Sequence, residues 1–487
     1  MSLIQCIAIR PCGVGLLIWV ALSGALASGP VTADPQSDTF QPDFLRTGPA
    51  LDQRTHGLTD PRGRDCPLPS GPLLLPVAID LGLCRNPATR SAWAAARQQA
   101  AVLGSAESAW LPNLAVTGGA SRDYGQHVDV TGAVIATPQN IYDAALTLSW
   151  TLYDFGARSG RIASAHRLLD AQAATLNSTS QQTVLQVVQS YFGVVAGDTA
   201  LVAAKTTEAA AARSVEIARS LREGGVATLA DVLQAETAYD QAVIARVQAD
   251  LTAKSARGTL AVAIGSPADQ PLQIDAEPVP AQVPTLTARL SDLMAEAARQ
   301  RPDLAAALAQ RDAAEANVTV ARAVGRPSIS IGAAHTLSDI TGIPNQNYSQ
   351  VGITVTVPIF SGFSVAYGVR QAQAQLEASD ANAEQVRLNV SLTVWNAYYS
   401  LDSANQQLAA TATLVKTAEQ NQEVALGRYQ SGVGTIIDVL TAQNGAASAR
   451  VNRINAELNW QVARAQLALA LGKLTGIEPL AGIEAVP

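Results

Sequence analysis

The sequence predicts an α+β fold made twice over: long antiparallel α-helical hairpins, each preceded by a pair of β-strands, in two tandem copies. Three observations predict it. Leu221–Thr237 (LREGGVATLADVLQAET) and Arg428–Asn444 (RYQSGVGTIIDVLTAQN) lie 207 positions apart, and both run glycine, threonine three residues on, aspartate three further, then Val-Leu. Proline-free helical runs over 157–222 and 363–429 exceed any ordinary globular helix. Ahead of each run, short segments alternate apolar with small or polar residues at a period of two.

Bulk composition agrees. The 487 residues are too many for one ordinary core. Aromatics at 5% and charged residues at 15% are lean for a compact enzyme and suit long helices packed through small side chains. A net charge of −7 and the lack of a dense basic run argue against nucleic acid as a partner.

Element by element, the N-terminus has the form of a secretory signal. Arg10 precedes the apolar run Gly13–Leu22, and Ala25-Leu26-Ala27 fits a small-residue cleavage site, giving a signal peptide over 1–27. The run is short for a membrane span. No cysteine follows the cleavage site, so no lipoprotein signal is read. Residues 28–76, rich in Pro, Gly, Asp and Thr, read as a flexible extension. Cys66 and Cys84 remain after export, and an even pair in an exported chain suggests one disulfide, the alternative being two free thiols.

The copies can be aligned by hand. Pro87 pairs with Pro302 and Pro112 with Pro327 at an offset of 215; Leu169 with Leu376, Tyr191 with Tyr398, Gly225 with Gly432 and Gly265 with Gly472 at 207. The first copy (77–265) therefore carries an eight-residue excess in one place, a loop between its strands. A Pro/Gln-rich linker (266–289) leads to the second copy (290–472), and a tail follows (473–487). Strands are expected at about 113–121, 143–153, 328–334 and 350–360, with hairpin loops over 124–141 and 335–348. Leu146, Leu148, Trp150 and Leu152 alternate with Ala145, Thr147, Ser149 and Thr151; Val351, Ile353, Val355, Val357 and Ile359 repeat the pattern. Helices are expected at 157–222, 228–264, 363–429 and 435–471, the longer about 100 Å and the shorter about 55 Å in length.

In each quoted stretch, Gly225 or Gly432 stops the long helix and T-x-x-D (Thr228 to Asp231, Thr435 to Asp438) starts the next. Capping alone accounts for both aspartates. The functional alternative is that acids at a hairpin turn ring an opening when chains assemble. Four strands with one apolar face cannot cross a membrane alone, because an open sheet leaves unpaired edges in lipid and closed barrels there have eight strands or more. Either the sheet is soluble, or several chains share one barrel; an export signal without a long apolar helix favours the shared barrel.

The duplicated layout, the strand ends WTLYDFG (Trp150–Gly156) and VPIFSGF (Val357–Phe363) and the turn RYQSGVGTIIDVL resemble the TolC-like outer membrane efflux proteins over nearly all of 77–472. That resemblance implies a homotrimer. Twelve shared strands would form one outer membrane barrel, and the helices a hollow periplasmic tunnel closed at its inner end. There a periplasmic adaptor and an inner membrane transporter, ABC-type or proton-driven, would engage it. No cofactor and no metal site are expected, since the sequence holds no constellation for either. The resemblance makes Tyr429 a turn tyrosine that helps hold the tunnel shut, Asp438 a turn aspartate, and Asp231 its first-copy counterpart. Some members carry arginine where Gly434 stands and aspartate where Thr441 stands. This chain has neither, which makes Arg222 and Arg428 the candidate substitutes. Leu81–Arg97 (LGLCRNPATRSAWAAAR), with Cys66 upstream, further resembles members serving type I protein secretion, including the exit component for adenylate cyclase toxin; drug efflux by a proton-driven pump is the close alternative.

Other classes fit less well. His56, His127, His166 and His335 are scattered without metal spacing, and the sequence contains no HExxH or P-loop pattern, so it does not read as an enzyme. A coiled-coil scaffold would need the helices but not the one-sided strands.

Overall fold

The computed structural model describes residues 66–69, 71–128, 131–132, 134–136, 139–275, 289–341 and 343–474. The expected signal peptide, the extension before 66, most of the linker and most of the tail lie outside the described residues.

The first copy consists of α1 (Leu75–Arg85), α2 (Pro87–Glu107), β1 (Asn113–Asp123), the small strands β2 (Gln126–Val128) and β3 (Val134–Ala136), β4 (Gln139–Tyr153), α3 (Ala157–Glu223) and α4 (Leu229–Ala263). The second consists of α5 (Leu290–Gln300), α6 (Pro302–Ala323), β5 (Ser328–Ile340), β6 (Ile343–Thr356), α7 (Ser364–Gln430) and α8 (Ile436–Ala470). The long helices α3 and α7 are both 67 residues, and α4 and α8 both 35. Proline opens α2 and α6, where its missing N–H costs no helical bond. The excess of the first copy lies between β1 and β4, where β2 and β3 pair as a hairpin of their own.

The four long strands form one antiparallel sheet in the order β1-β4-β5-β6, leaving β1 and β6 with free edges. Its register places Leu114, Leu148, Ala333 and Val351 in one row, and Trp150, Ile331 and Ile353 in another. That face is apolar and bare: Leu114 is 63% exposed, Val351 75% and Ile353 68%. The opposite face carries Thr147, Ser149, Ser330, Thr354 and Thr356. Several expected strand limits need correction. Residues 335–338 pair with 346–349 as strand, not loop, and β4 begins at Gln139. There polar residues (His335, Thr336, Ser338, Gln346, Asn347, Ser349) interrupt the apolar alternation, so the period-two signal weakens while the backbone ladder continues. At the other end β6 stops at Thr356 rather than 360, because Pro358 has no N–H for the ladder.

Each sheet-to-helix corner uses two successive left-handed residues, Phe155 and Gly156 (φ 51° and 105°) and Gly362 and Phe363 (62° and 66°). In the first copy Arg158, only 4% exposed, secures the corner. Its guanidinium donates to Thr151 O (2.6 Å) and Leu152 O (2.9 Å), pairs with Asp154 and lies over the Trp110 ring.

Helix α3 packs against α2 and α4 of its own copy and against α6 and α8 of the other; α7 packs on α6 and α8. One stretch of α3 is apolar enough to cross a membrane by length and composition, contrary to the expectation of no such helix. About a third of that stretch is buried; on the same helix Val184, Val187, Val188 and Val194 pack with α1 and the end of α4, at most 1% exposed.

The segment before α1 is not a loose extension from 66 onward. Cys66 and Cys84 are joined by a disulfide. Leu73 is buried, its N–H donates to Gln273 O (2.7 Å), and it bridges Ile274 in parallel. The Tyr191 hydroxyl reaches both Leu73 O (3.2 Å) and Asp275 O (2.7 Å). Burial of Leu73 and the disulfide together fix a stretch whose Pro/Gly content alone suggests disorder.

Candidate functional site at the helix turns

The two quoted stretches form the turns α3–α4 and α7–α8, and their local chemistry is repeated. In the first, Val226 N–H donates to Leu221 O (2.8 Å) and Gly225 N–H to Arg222 O (2.9 Å). In the second, Val433 N–H donates to Arg428 O (3.0 Å) and Gly432 N–H to Tyr429 O (3.0 Å). This is the Schellman pattern, which needs a left-handed residue; Gly225 and Gly432 supply it with φ of 76° and 72°.

Both following helices open with a complete capping box. The Asp231 N–H donates to Thr228 Oγ1 (3.2 Å) and the Thr228 N–H to Asp231 Oδ2 (2.7 Å). Asp438 N–H donates to Thr435 Oγ1 (3.2 Å) and Thr435 N–H to Asp438 Oδ2 (3.1 Å). The Thr435 backbone N–H, then its hydroxyl, hold the Asp438 carboxyl below the usual carboxylate range, and the nearby Arg428 charge adds to this. The capping role of both aspartates is thus realised within one chain.

Tyr429 is placed differently. It is 5% exposed and lies in an apolar cluster with Val215, Ala218, Val232 and Ala235 of the first hairpin and Ile436 and Val439 of its own. Among the described residues its buried hydroxyl has no hydrogen-bond partner. Burial raises its pKa above that of an ordinary tyrosine, and the negative charge of Asp231 raises it further. The turns touch: a Cβ built on Gly432 would stand 3.7 Å from Val226 Cγ1. At Gly434 a Cβ would lie 3.1 Å from Tyr429 N and 3.2 Å from Arg428 Cβ, so this turn conformation leaves little room for a larger residue there.

Arg222 and Arg428 sit exposed in the last turns of α3 and α7, where positive charge complements the helix C-terminus. Among the described residues neither closes an ion pair. Sequence reasoning missed two contacts close by. Arg219 and Glu236 pair at 2.6 Å within the first hairpin, and Gln443 of α8 reaches across to Ser214 of α3 at 2.7 Å. The Arg-to-Glu pairing has a weak sequence signal in the charges flanking the turn; the Gln-to-Ser contact has none, since it joins different repeats. His166 lies beside Asp170 on α3, and no cluster of potential metal ligands occurs among the described residues.

Two helical hairpins meeting at paired turns, joined to an open sheet with a bare apolar face, find their counterpart in one sequence family. The profile of the outer membrane efflux proteins matches residues 78–266 and 293–473, one match to each copy. The chain belongs to the outer membrane efflux protein family. It is a transport conduit of the bacterial outer membrane with a periplasmic tunnel, not an enzyme. Among relatives, Protein CyaE of Bordetella pertussis is 29% identical over 443 residues, covering 89% of this chain and 91% of that protein. Outer membrane protein TolC of Escherichia coli is 22% identical, covering 73% and 72%. The toluene efflux pump outer membrane protein TtgC of Pseudomonas putida is 28% identical, covering 74% and 75%. Among solved structures, the outer-membrane channel OprN superposes with a TM-score of 0.72 at 23% identity, covering 82% of this chain and 90% of that one. That likeness concerns the fold.

Proposed function

We propose that this efflux-family protein is the passive exit duct of a tripartite system for type I protein secretion. The observation that carries the reading is its similarity to CyaE over nine-tenths of both chains, together with the resemblance of Leu81–Arg97 to secretion members. In this reading three chains close their free β1 and β6 edges into one twelve-stranded barrel. Closure would remove the unpaired edges that lipid forbids. The apolar row of Leu114, Leu148 and Val351 then faces lipid, and the Thr/Ser face lines the pore. A periplasmic adaptor and an inner membrane ABC transporter would engage the helix turns. Tyr429, Asp231 and Asp438 would shape the resting closure, with Arg222 and Arg428 available to neighbouring chains. A second reading, the outer membrane part of a proton-driven small-molecule pump, is favoured by the similarity to TtgC.

Crosslinking in living cells, followed by identification of the inner membrane protein that copurifies, separates the two. An ABC transporter with its adaptor supports secretion. A proton-driven pump overturns it in favour of the second reading.

A further inference from the structure

One end of the sheet collects arginine without acids. Segments 155–169, 316–327 and 357–376 all lie where strands meet helices. They hold six arginines (Arg158, Arg161, Arg167, Arg322, Arg326, Arg370) and no Asp or Glu, in a chain whose net charge is −7. Arg158 is taken up by the corner it secures; the other five are exposed. Among the described residues Arg161, Arg322, Arg326 and Arg370 close no ion pair, while Arg167 stands 3.6 Å from Asp170 and 3.8 Å from Asp312. The far half of the sheet differs: there Arg122 is mixed with Asp123, Asp143 and Asp339.

Large apolar side chains share the arginine-rich end. Trp110, Tyr153, Phe360, Phe363 and Tyr367 are exposed, and Ile359 is bare at 96%. Rings and cations side by side, directly beyond an apolar sheet face, match the headgroup region of a bilayer, where aromatic rings settle and guanidinium groups meet phosphate. A groove of about 380 Å³ lies within this rim, lined by Trp110, Ile162 and Ala163 with Ser159, His166 and Arg167. It is continuous with the apolar face, because the Trp150 indole N–H, in the row of Ile331 and Ile353, donates to Trp110 O at 2.8 Å.

The sheet order says what the groove meets in an assembly. Asn113 at the start of β1 and Thr356 at the end of β6 lie at the same end of the sheet. Where β6 of one chain runs beside β1 of the next, the start of α7 comes beside the Trp110 groove. Arg370 then joins Arg161 and Arg167 with no acid of its own segment to balance it. Like charges gathered in this way repel unless an anion sits among them.

We propose that this rim is a binding site for anionic phospholipid, with the headgroup phosphate held by Arg161, Arg167 and Arg370 and the lipid body against Trp110 and Ile162. The proposal rests on reading the sheet as part of a shared membrane barrel. Its test uses the full-length exported protein in detergent, titrated with phosphatidylglycerol or phosphatidylcholine of the same acyl chains and followed by native mass spectrometry. The variants are Arg161→Gln with Arg370→Gln, and Arg122→Gln at the far end as control. The unmodified trimer should bind phosphatidylglycerol about ten-fold more tightly than phosphatidylcholine, and the double variant should cut that preference to about two-fold. Arg122→Gln should keep it, and added salt should weaken it. Equal binding of the two lipids by the unmodified trimer overturns the proposal. So does an unchanged preference in the double variant, which would put the anion elsewhere. Competition by inorganic phosphate as strong as by the lipid also overturns it, since the site would then take free phosphate. Should the double variant not fold, Arg370→Gln alone carries the test. Should the protein stay monomeric and form no channel, the barrel reading fails; the monomer keeps the groove with Arg161 and Arg167, so its lipid preference with and without Arg161→Gln still decides the site.

Discussion

Val351 separates a lipid-facing sheet from a soluble one. It lies 75% exposed in the row Leu114, Leu148, Ala333, Val351, within an apolar band that runs from Val355 to the polar pair His335 and Ser349. If the band meets hydrocarbon, Val351→Lys places an ammonium near its middle. The cost is about 2–4 kcal/mol per chain at the bilayer midplane, falling toward zero at the interfaces. Gln350→Lys, one residue away, points to the opposite face and should cost little. The assay is urea unfolding of the reconstituted protein in vesicles, with the amount recovered in the outer membrane fraction as a cellular readout. Val351→Lys should show a large loss and Gln350→Lys near-normal behaviour. Equal tolerance of both would refute lipid contact, because an exposed surface valine of a soluble sheet accepts lysine readily.

Three further outcomes are expected. Since its carboxyl has a lowered pKa in the folded chain, Asp438 stabilises its turn fully above the unfolded value of about 4, and this contribution disappears as pH falls through the folded value; amide exchange at Thr435 should quicken below about pH 4 in the native protein and show no such step in Asp438→Asn. Replacing Cys66 and Cys84 together by serine should cost about 3 kcal/mol in the chain-entropy account of an 18-residue separation, read as a lower melting temperature under oxidising conditions only. Tyr429→Phe should leave stability unchanged or slightly raised, because among the described residues the buried hydroxyl has no partner; a clear loss on thermal unfolding would mean that the hydroxyl is bonded in the assembled protein.

The fold was legible wherever local chemistry decides it. The starts of the long helices, expected at 157 and 363 and found at 157 and 364, follow from glycine, Pro358 and the strand ends, and the turns from Gly225, Gly432 and the two T-x-x-D boxes, all readable in a few residues of sequence. The duplication made each reading count twice. The outer ends of the strands were not legible, since polar residues such as His335, Thr336, Ser338, Gln346, Asn347 and Ser349 break the apolar alternation there and only the pairing of one strand with the next makes them strand. The fixed stretch 66–76 was hidden by its Pro/Gly composition, because its order comes from Leu73, Tyr191 and the disulfide, which are distant in sequence. For the candidate site, the capping of Asp231 and Asp438 was readable, but the burial of the Tyr429 hydroxyl and the reach of Gln443 to Ser214 were not. Both depend on how the second hairpin lies on the first, and no periodicity encodes that.

In the proposed reading this chain assembles into a lipid-spanning conduit. Single-channel recording of the purified full-length protein in a planar bilayer tests it most directly. Discrete, reproducible conductance steps from a detergent-extracted trimer are the predicted result. A monomer that leaves membranes with salt or high pH and adds no conductance would contradict it.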